Sequence, residues 1–113
     1  MNRFGLAQHH IAELAESFKA HFTQGTVILY GSRAKGNFTE RSDINLVIRD
    51  AGTLDRHILA TIQDEIDESD VPYLCDIQYF EDIRNTVLRE HIVLVGQVLL
   101  SITYLHKAKA ISK

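Results

Sequence analysis

Residues 29–47 read LYGSRAKGNFTERSDINLV. An apolar run ends in the pair Gly31-Ser32, and a basic loop containing a second glycine follows it. A second apolar run begins at Asp43, with polar residues at alternate positions. The pattern indicates a phosphate-binding loop followed by a strand that carries metal ligands.

The composition is that of one globular domain. The chain has 113 residues, 45% of them hydrophobic and 24% charged, and this length can bury roughly two thirds of the unfolded surface. No apolar run approaches the roughly 20 residues that span a bilayer, and the N-terminus has no signal-peptide pattern, so we expect a cytoplasmic protein without membrane association. Cys75 is the one cysteine, which excludes an internal disulfide and fits a reducing compartment.

The charge distribution indicates where a negative ligand would bind. A formal net charge of −3 argues against a surface that binds nucleic acid through its backbone. Basic residues concentrate in the first loop, at Arg33, Lys35 and Arg41, whereas acidic residues concentrate between Asp50 and Asp70. We therefore expect an anionic ligand to meet the first loop.

Hydrophobic periodicity predicts an α+β fold. The predicted helices cover 6–22, a segment capped by Thr53 that runs to Ile66, and about 86–95, and the predicted strands cover 26–30, 43–49, 71–80 and the short run 98–100. Gly25 is predicted to end the first helix in a left-handed conformation, and Asp82 or Asn85 to cap the last one. This order favours a single domain at 1–100, a small mixed sheet with helices packed on it, followed by a fraying tail at 101–113.

Other well-known site types fit the sequence poorly. Gly31 and Gly36 have the spacing of a Walker P-loop, but Asn37 and Phe38 stand where that motif has Lys and Ser or Thr. The chain has no G-x-G-x-x-G dinucleotide fingerprint. The six histidines show no zinc-ligand spacing.

The residues of the first loop suit phosphate. Gly31 lets the backbone approach a ligand closely, and Ser32 offers a hydroxyl and an N–H group. If residues 33–35 start a short helix, its first amides face the same point. The side chains of Arg33 and Lys35 are either phosphate contacts or solvated loop charges.

The strands that follow carry candidate metal ligands. Ten residues separate Ser32 from Asp43, which projects with Asn45 from one face of the second strand. Asp76 lies among apolar neighbours on the third strand, and strand pairing can bring it beside them. Buried carboxylates in such a group repel one another unless a divalent cation lies among them, and oxygen ligands suit Mg²⁺ or Mn²⁺.

These motifs carry a family resemblance. Gly31-Ser32, ten residues and then Asp43-Ile44-Asn45 closely resemble the G-S-x10-D-x-D signature of the DNA-polymerase-β-like nucleotidyltransferases, and the short chain resembles their minimal nucleotidyltransferase (MNT) family. Cys75-Asp76-Ile77 resembles the strand that supplies the family's third carboxylate. Members often pair with a HEPN-domain protein as toxin and antitoxin, and some transfer AMP to a tyrosine of that partner.

The resemblance implies a role for each matching residue. Gly31 and Ser32 would bind the triphosphate of a nucleoside triphosphate such as ATP, with Arg33 as the adjoining nucleotide contact. Asp43, position 45 and Asp76 would hold Mg²⁺ or Mn²⁺. Asp43 and Asp76 would be the catalytic carboxylates, and Asp76 would also activate the acceptor hydroxyl.

One position departs from the family signature. Asn45 stands where the family has Asp, and an amide offers a cation its carbonyl oxygen without a negative charge. The resemblance implies two divalent cations at the site. The second of them would lose its attraction to a carboxylate at position 45, which is worth a few kcal/mol at an effective dielectric constant of about 20. The resemblance therefore implies either an enzyme that transfers a nucleoside monophosphate, AMP from ATP, or a catalytically impaired nucleotide-binding or antitoxin module.

The sequence leaves acceptor recognition to a partner. We expect acceptor specificity to come from a second subunit, either a HEPN-domain protein or another copy in a homo-oligomer. Tyr104 is a candidate modification target.

Overall fold

Strands and helices form where the hydrophobic periodicity predicts them within residues 3–103, the part of the chain that the computed structural model describes. The helices of this part are α1 (Gln8–His21), α2 (Ser32–Lys35), α3 (Arg56–Asp67) and α4 (Thr86–Val95), with a 3₁₀ turn at Phe80–Asp82. The strands are β1 (Gly25–Tyr30), β2 (Ile44–Arg49), β3 (Cys75–Tyr79) and β4 (Gln97–Ile102). The predicted α+β fold is confirmed.

The four strands form one mixed sheet in the order β3-β2-β1-β4. β1 pairs antiparallel with both β2 and β4, whereas β2 and β3 run parallel. A parallel pair needs a crossover that returns the chain to the starting edge, and α3 supplies it.

The two faces of the sheet are covered unequally. Val27, Leu29 and Leu46 project to one face, where they pack in the core cluster that includes Phe18 of α1 and Ile62 of α3. The other face has a smaller cluster, made by Tyr30, Val47, Phe80, Ile83 and Ile92. Residues of β3 on that second face, Asp76 and Gln78, lie outside this cluster. Part of the second face is therefore left polar.

Two helix boundaries differ from the predictions. The N-cap of α3 is Asp55 rather than Thr53, and its carboxylate accepts the His57 N–H at 2.9 Å. A carboxylate is favoured there because it also complements the positive end of the helix dipole. Gly25 does not cap α1, which ends at His21, but begins β1 with φ +123°. A Cβ on Gly25 would lie 3.2 Å from the Ala51 Cα, so the glycine permits a close backbone approach.

The remaining boundaries agree more closely. Asn85, one of the two predicted caps, accepts the Leu88 N–H at 3.0 Å. β3 begins at Cys75 rather than Val71, and Leu74 before it is 75% exposed. β4 is longer than predicted and includes Ser101 and Ile102.

The rest of the predicted tail, including Tyr104, falls outside the residues that the structure describes. Over residues 3–103, none of the helices has the length and apolar character needed to traverse a lipid bilayer.

Candidate functional site

The strand register places the predicted site residues together at one end of the sheet. Tyr30 pairs with Asn45, and Asn45 pairs with Asp76 on the next strand. Asp43 comes two residues before Asn45, directly ahead of the first residue of β2. Gly31 follows Tyr30 directly. Neighbouring strands lie about 4.8 Å apart, so these side chains are within reach of one small ligand.

The carboxylates of this group are open to solvent. Asp43 and Asp76 are exposed and Asn45 is half-buried. The expectation of buried carboxylates is therefore wrong, because α4 and the 3₁₀ turn cover the sheet at Tyr30 and Val47 but leave the residues beyond them free. A cation at this site would be held by the charge and type of its ligands and not by relief of a buried repulsion.

The donor set suits a hard divalent cation. It consists of two carboxylates and one amide oxygen, and oxygen ligands of this kind fit Mg²⁺ or Mn²⁺. No group of three or more His, Cys, Asp or Glu side chains that could hold a metal ion occurs among residues 3–103.

The loop after β1 has a backbone that only glycine adopts readily. Gly31 has φ +82° and ψ −157°, and a Cβ there would lie 2.7 Å from the Asn45 Nδ2. The predicted short helix is present as α2, which begins at Ser32. The first amides of a helix have no intrahelical partner, so the N–H groups of Ser32 and Arg33 can bind an anion together with the Ser32 hydroxyl.

The side chain of Arg33 has a different role from the predicted phosphate contact. It is 1% exposed, its Nε and Nη2 donate to the Ser42 carbonyl at 3.0 and 2.8 Å, and its Nη1 donates to the Phe4 carbonyl at 2.9 Å. The guanidinium carbon also lies 4.3 Å from the centroid of the Tyr73 ring. The planar guanidinium group can donate to both carbonyls and stack on an aromatic ring at the same time. The guanidinium of Arg33 is thus fully engaged within the protein.

His91 of α4 is a site residue that sequence reasoning missed. Its Nε2 accepts the Gly31 N–H at 3.2 Å, and its ring meets the Tyr30 ring edge-on with centroids 6.2 Å apart. The only signal in the sequence was a histidine directly before Ile92, one of the residues predicted to face inward. A contact between residues 60 positions apart cannot be inferred from that signal.

Asp76 is tied to the rest of the site by hydrogen bonds. The Gln78 Nε2 donates to the Asp76 Oδ2 at 3.2 Å and to the Tyr30 hydroxyl at 3.3 Å. Burial, and then the charge of Asp76, raises the pKa of Tyr30. Burial, with Asp76 and Asp67 nearby, raises the pKa of Cys75 to about 12, so this thiol is not a nucleophile at neutral pH.

Comparison with known proteins agrees with this arrangement. A sequence model of the family described as "Polymerase beta, Nucleotidyltransferase" matches residues 12–104. No curated protein sequence matches the chain significantly.

Three solved structures have a similar fold. A toxin–antitoxin complex with AMP-PNP contains a chain 20% identical to this one, with a TM-score of 0.63 over 90% of this chain and 82% of that chain. A mutant of the toxin–antitoxin complex MntA-HpeT contains a chain 16% identical to this one, with a TM-score of 0.65. The match covers 90% of this chain and 81% of that chain. A complex of the tri-AMPylated Shewanella oneidensis HEPN toxin with MNT antitoxin contains a chain 18% identical to this one, with a TM-score of 0.59. The match covers 91% of this chain and 77% of that chain. At these identities the likeness shows a common fold.

Proposed function

Because the chain belongs to the polymerase β nucleotidyltransferase family, we propose that it is a metal-dependent minimal nucleotidyltransferase that transfers AMP from ATP to a hydroxyl group of a HEPN-domain protein. The observation that carries this proposal is the register Tyr30–Asn45–Asp76, which sets Asn45 and Asp76 on neighbouring strands beside the end of β1, where the Gly31-Ser32 loop begins. Asp43 lies two residues before Asn45. Structural neighbours crystallised with AMP-PNP and with an AMPylated HEPN toxin support the choice of nucleotide and acceptor.

Each site residue has a chemical role in this proposal. The amides at the start of α2 and the Ser32 hydroxyl bind the triphosphate oxygens. Asp43, Asp76 and the Asn45 carbonyl oxygen would hold Mg²⁺ or Mn²⁺, which when bound offsets negative charge on the phosphates and on the entering and leaving oxygens.

The transfer step proceeds at the α-phosphorus of ATP. The acceptor hydroxyl gives its proton to Asp76 and its oxygen forms a bond to the α-phosphorus. The bond between that phosphorus and the oxygen leading to the β-phosphate breaks, and pyrophosphate leaves. Asp76 is exposed, so a residue on the surface of a protein acceptor can reach it. We place the reaction in the cytoplasm, where ATP is present and Cys75 stays reduced.

A labelling experiment tests the activity. The chain is incubated with a candidate HEPN-domain partner protein, Mg²⁺ and ATP labelled at the α-phosphate. We expect Mg²⁺-dependent incorporation into the partner, reduced about a hundredfold or more by Asp43→Ala because a cation ligand is lost. Asp64→Ala, which removes an exposed carboxylate from α3, is the matched control. Absence of label from the partner in the wild-type reaction would reject the proposal.

The Asn45→Asp substitution tests whether the amide limits the rate. It adds the third carboxylate to the donor set, and the added Coulomb attraction amounts to a few kcal/mol at an effective dielectric constant of about 20. We expect a transfer rate at least about tenfold higher and a lower Mg²⁺ concentration at half-maximal rate. If both quantities stay unchanged, the amide oxygen serves as well as a carboxylate and the expected impairment is absent.

A further inference from the structure

We propose that His91 is a positioning residue of the phosphate-binding loop. Its neutral imidazole holds the Gly31 amide and thereby directs the N–H groups at the start of α2 toward the triphosphate. This inference rests on the nucleotide-binding role proposed above for the Gly31-Ser32 loop.

The Gly31 peptide is held from two sides. The Nε2 of His91 lies 3.2 Å from the Gly31 nitrogen on the α4 side. On the β2 side, the Asn45 amide lies so close that a Cβ on Gly31 would be 2.7 Å from its Nδ2. Gly31 has no side chain of its own to restrict φ and ψ. The His91 hydrogen bond therefore orients the Gly31 N–H, and the Asn45 amide leaves no room for a side chain at position 31.

The contact requires one protonation state of His91. An imidazole nitrogen accepts a hydrogen bond only when it carries no proton, so the ring proton must be on Nδ1. The ring is held in place by its edge-on contact with Tyr30, whose hydroxyl accepts from Gln78. Gln78 also donates to Asp76. A continuous set of contacts thus runs from the phosphate loop to the proposed general base.

The same hydrogen bond determines which loop atoms face the phosphates. While the Gly31 N–H donates to His91, it is not available to a ligand, and the hydroxyl and N–H of Ser32 and the N–H of Arg33 remain. Loss of the His91 acceptor frees the Gly31 peptide to rotate, which misaligns those groups. The consequence is specific to the phosphate part of the ligand, because nothing in the contact involves a base or ribose.

Binding measurements with matched variants test this inference. His91→Gln can place an acceptor oxygen near the position of Nε2, whereas His91→Leu keeps apolar volume without an acceptor. His57→Leu, which changes an exposed histidine of α3, is the control. We expect His91→Leu to weaken ATP binding fivefold to tenfold in titration calorimetry with Mg²⁺, the range of one hydrogen bond. Binding of adenosine should not change, and His91→Gln should stay within about twofold of wild type.

Two results would overturn the inference. Wild-type ATP affinity in His91→Leu would show that the acceptor is not needed, and equal weakening in His91→Gln and His91→Leu would show that ring packing alone matters.

Hydrogen exchange at the Gly31 amide, followed by NMR, tests the contact without a nucleotide. Exchange should be faster in His91→Leu than in wild type or His91→Gln, and an unchanged rate would overturn the contact itself. Wild-type protein that binds no ATP would instead overturn the proposed function.

Discussion

The guanidinium of Arg33 acts on the site through the backbone and not through a ligand. Two of its N–H groups bind the carbonyl of Ser42, the residue directly before Asp43, and a third binds Phe4. The loop that leads from α2 into β2 is therefore fixed at the point where the first aspartate emerges. A basic side chain in the proposed phosphate-binding loop is thus fully buried and acts on the conformation of the loop.

Replacing Arg33 tests this role. Arg33→Met should lower the free energy of unfolding by about 2–4 kcal/mol, because two carbonyls lose a charged donor and the Tyr73 ring loses its stacking partner. Arg33→Lys should recover only part of the lost free energy of unfolding, because a single ammonium group does not reproduce the planar set of N–H donors of a guanidinium. Urea denaturation measures the effect, with Lys35→Met on the exposed side of the same helix as control. Equal stability of Arg33→Met and wild type would contradict the assignment.

At the scale of elements, the strands were predictable and the contacts between distant elements were not. Period-two alternation predicted that Asp43 and Asn45 share one face and that Asp76 and Gln78 share a face of the next strand. The register confirms the strand residues, because Asn45 pairs with Asp76 and Val47 with Gln78. β2 begins at Ile44, so the face of Asp43 stays a prediction. Alternation within a strand does not reveal which strand pairs with it or in which register. The parallel register of Asn45 with Asp76 depends on the packing of α3, the helix that connects β2 to β3.

The side chains that sequence reasoning misjudged share a physical cause. α2 has four residues, too few for a helical period to show which side faces the protein, so Arg33 could be assigned to solvent or phosphate but not to the core. His91 lies on a helix whose apolar residues predicted only packing. Its partner, the Gly31 amide, is a backbone group with no sequence signature.

The cap of α4 offers a test at the element scale. Asn85→Ala removes the acceptor for the Leu88 N–H and should cost about 1 kcal/mol of stability. Asp55→Ala removes the equivalent bond at α3 and should cost a similar amount. We expect only the first variant to weaken ATP binding, because α4 carries His91. Urea denaturation and calorimetry of both variants measure the two effects, and equal losses of ATP affinity would contradict the link to α4.

The whole molecule is built with one closed face and one partly open face. The closed face carries α1 and α3 over the larger core. Among residues 3–103, α4 and the 3₁₀ turn pack on the open face, and the carboxylates of Asp43 and Asp76 are exposed. In the proposed function, a protein acceptor would approach Asp43 and Asp76 from this exposed side of the sheet. The proposed specificity for a partner then comes from the surface around this face.

Burial of proton-donating groups throughout the sheet predicts instability at high pH. Burial, followed by nearby carboxylates, raises the pKa of Cys75 from 9.0 to about 12. Burial also raises the pKa of Tyr30 and Tyr79, each from 10.0, again with nearby carboxylates contributing. Above pH 9 the unfolded chain releases the Cys75 proton while the folded chain keeps it, so the contribution to stability is complete below pH 9 and is lost as the pH rises toward 12.

The free energy of unfolding should therefore fall between pH 9 and 11, with Cys75 contributing at most about 1.4 kcal/mol per pH unit. Cys75→Ala should lower stability at pH 7.5, because the site loses buried volume, yet flatten the decline above pH 9. Urea denaturation at several pH values measures both slopes. A decline as steep in Cys75→Ala as in wild type would assign the alkaline loss to the tyrosines, because their hydroxyls are then the remaining groups with raised pKa values.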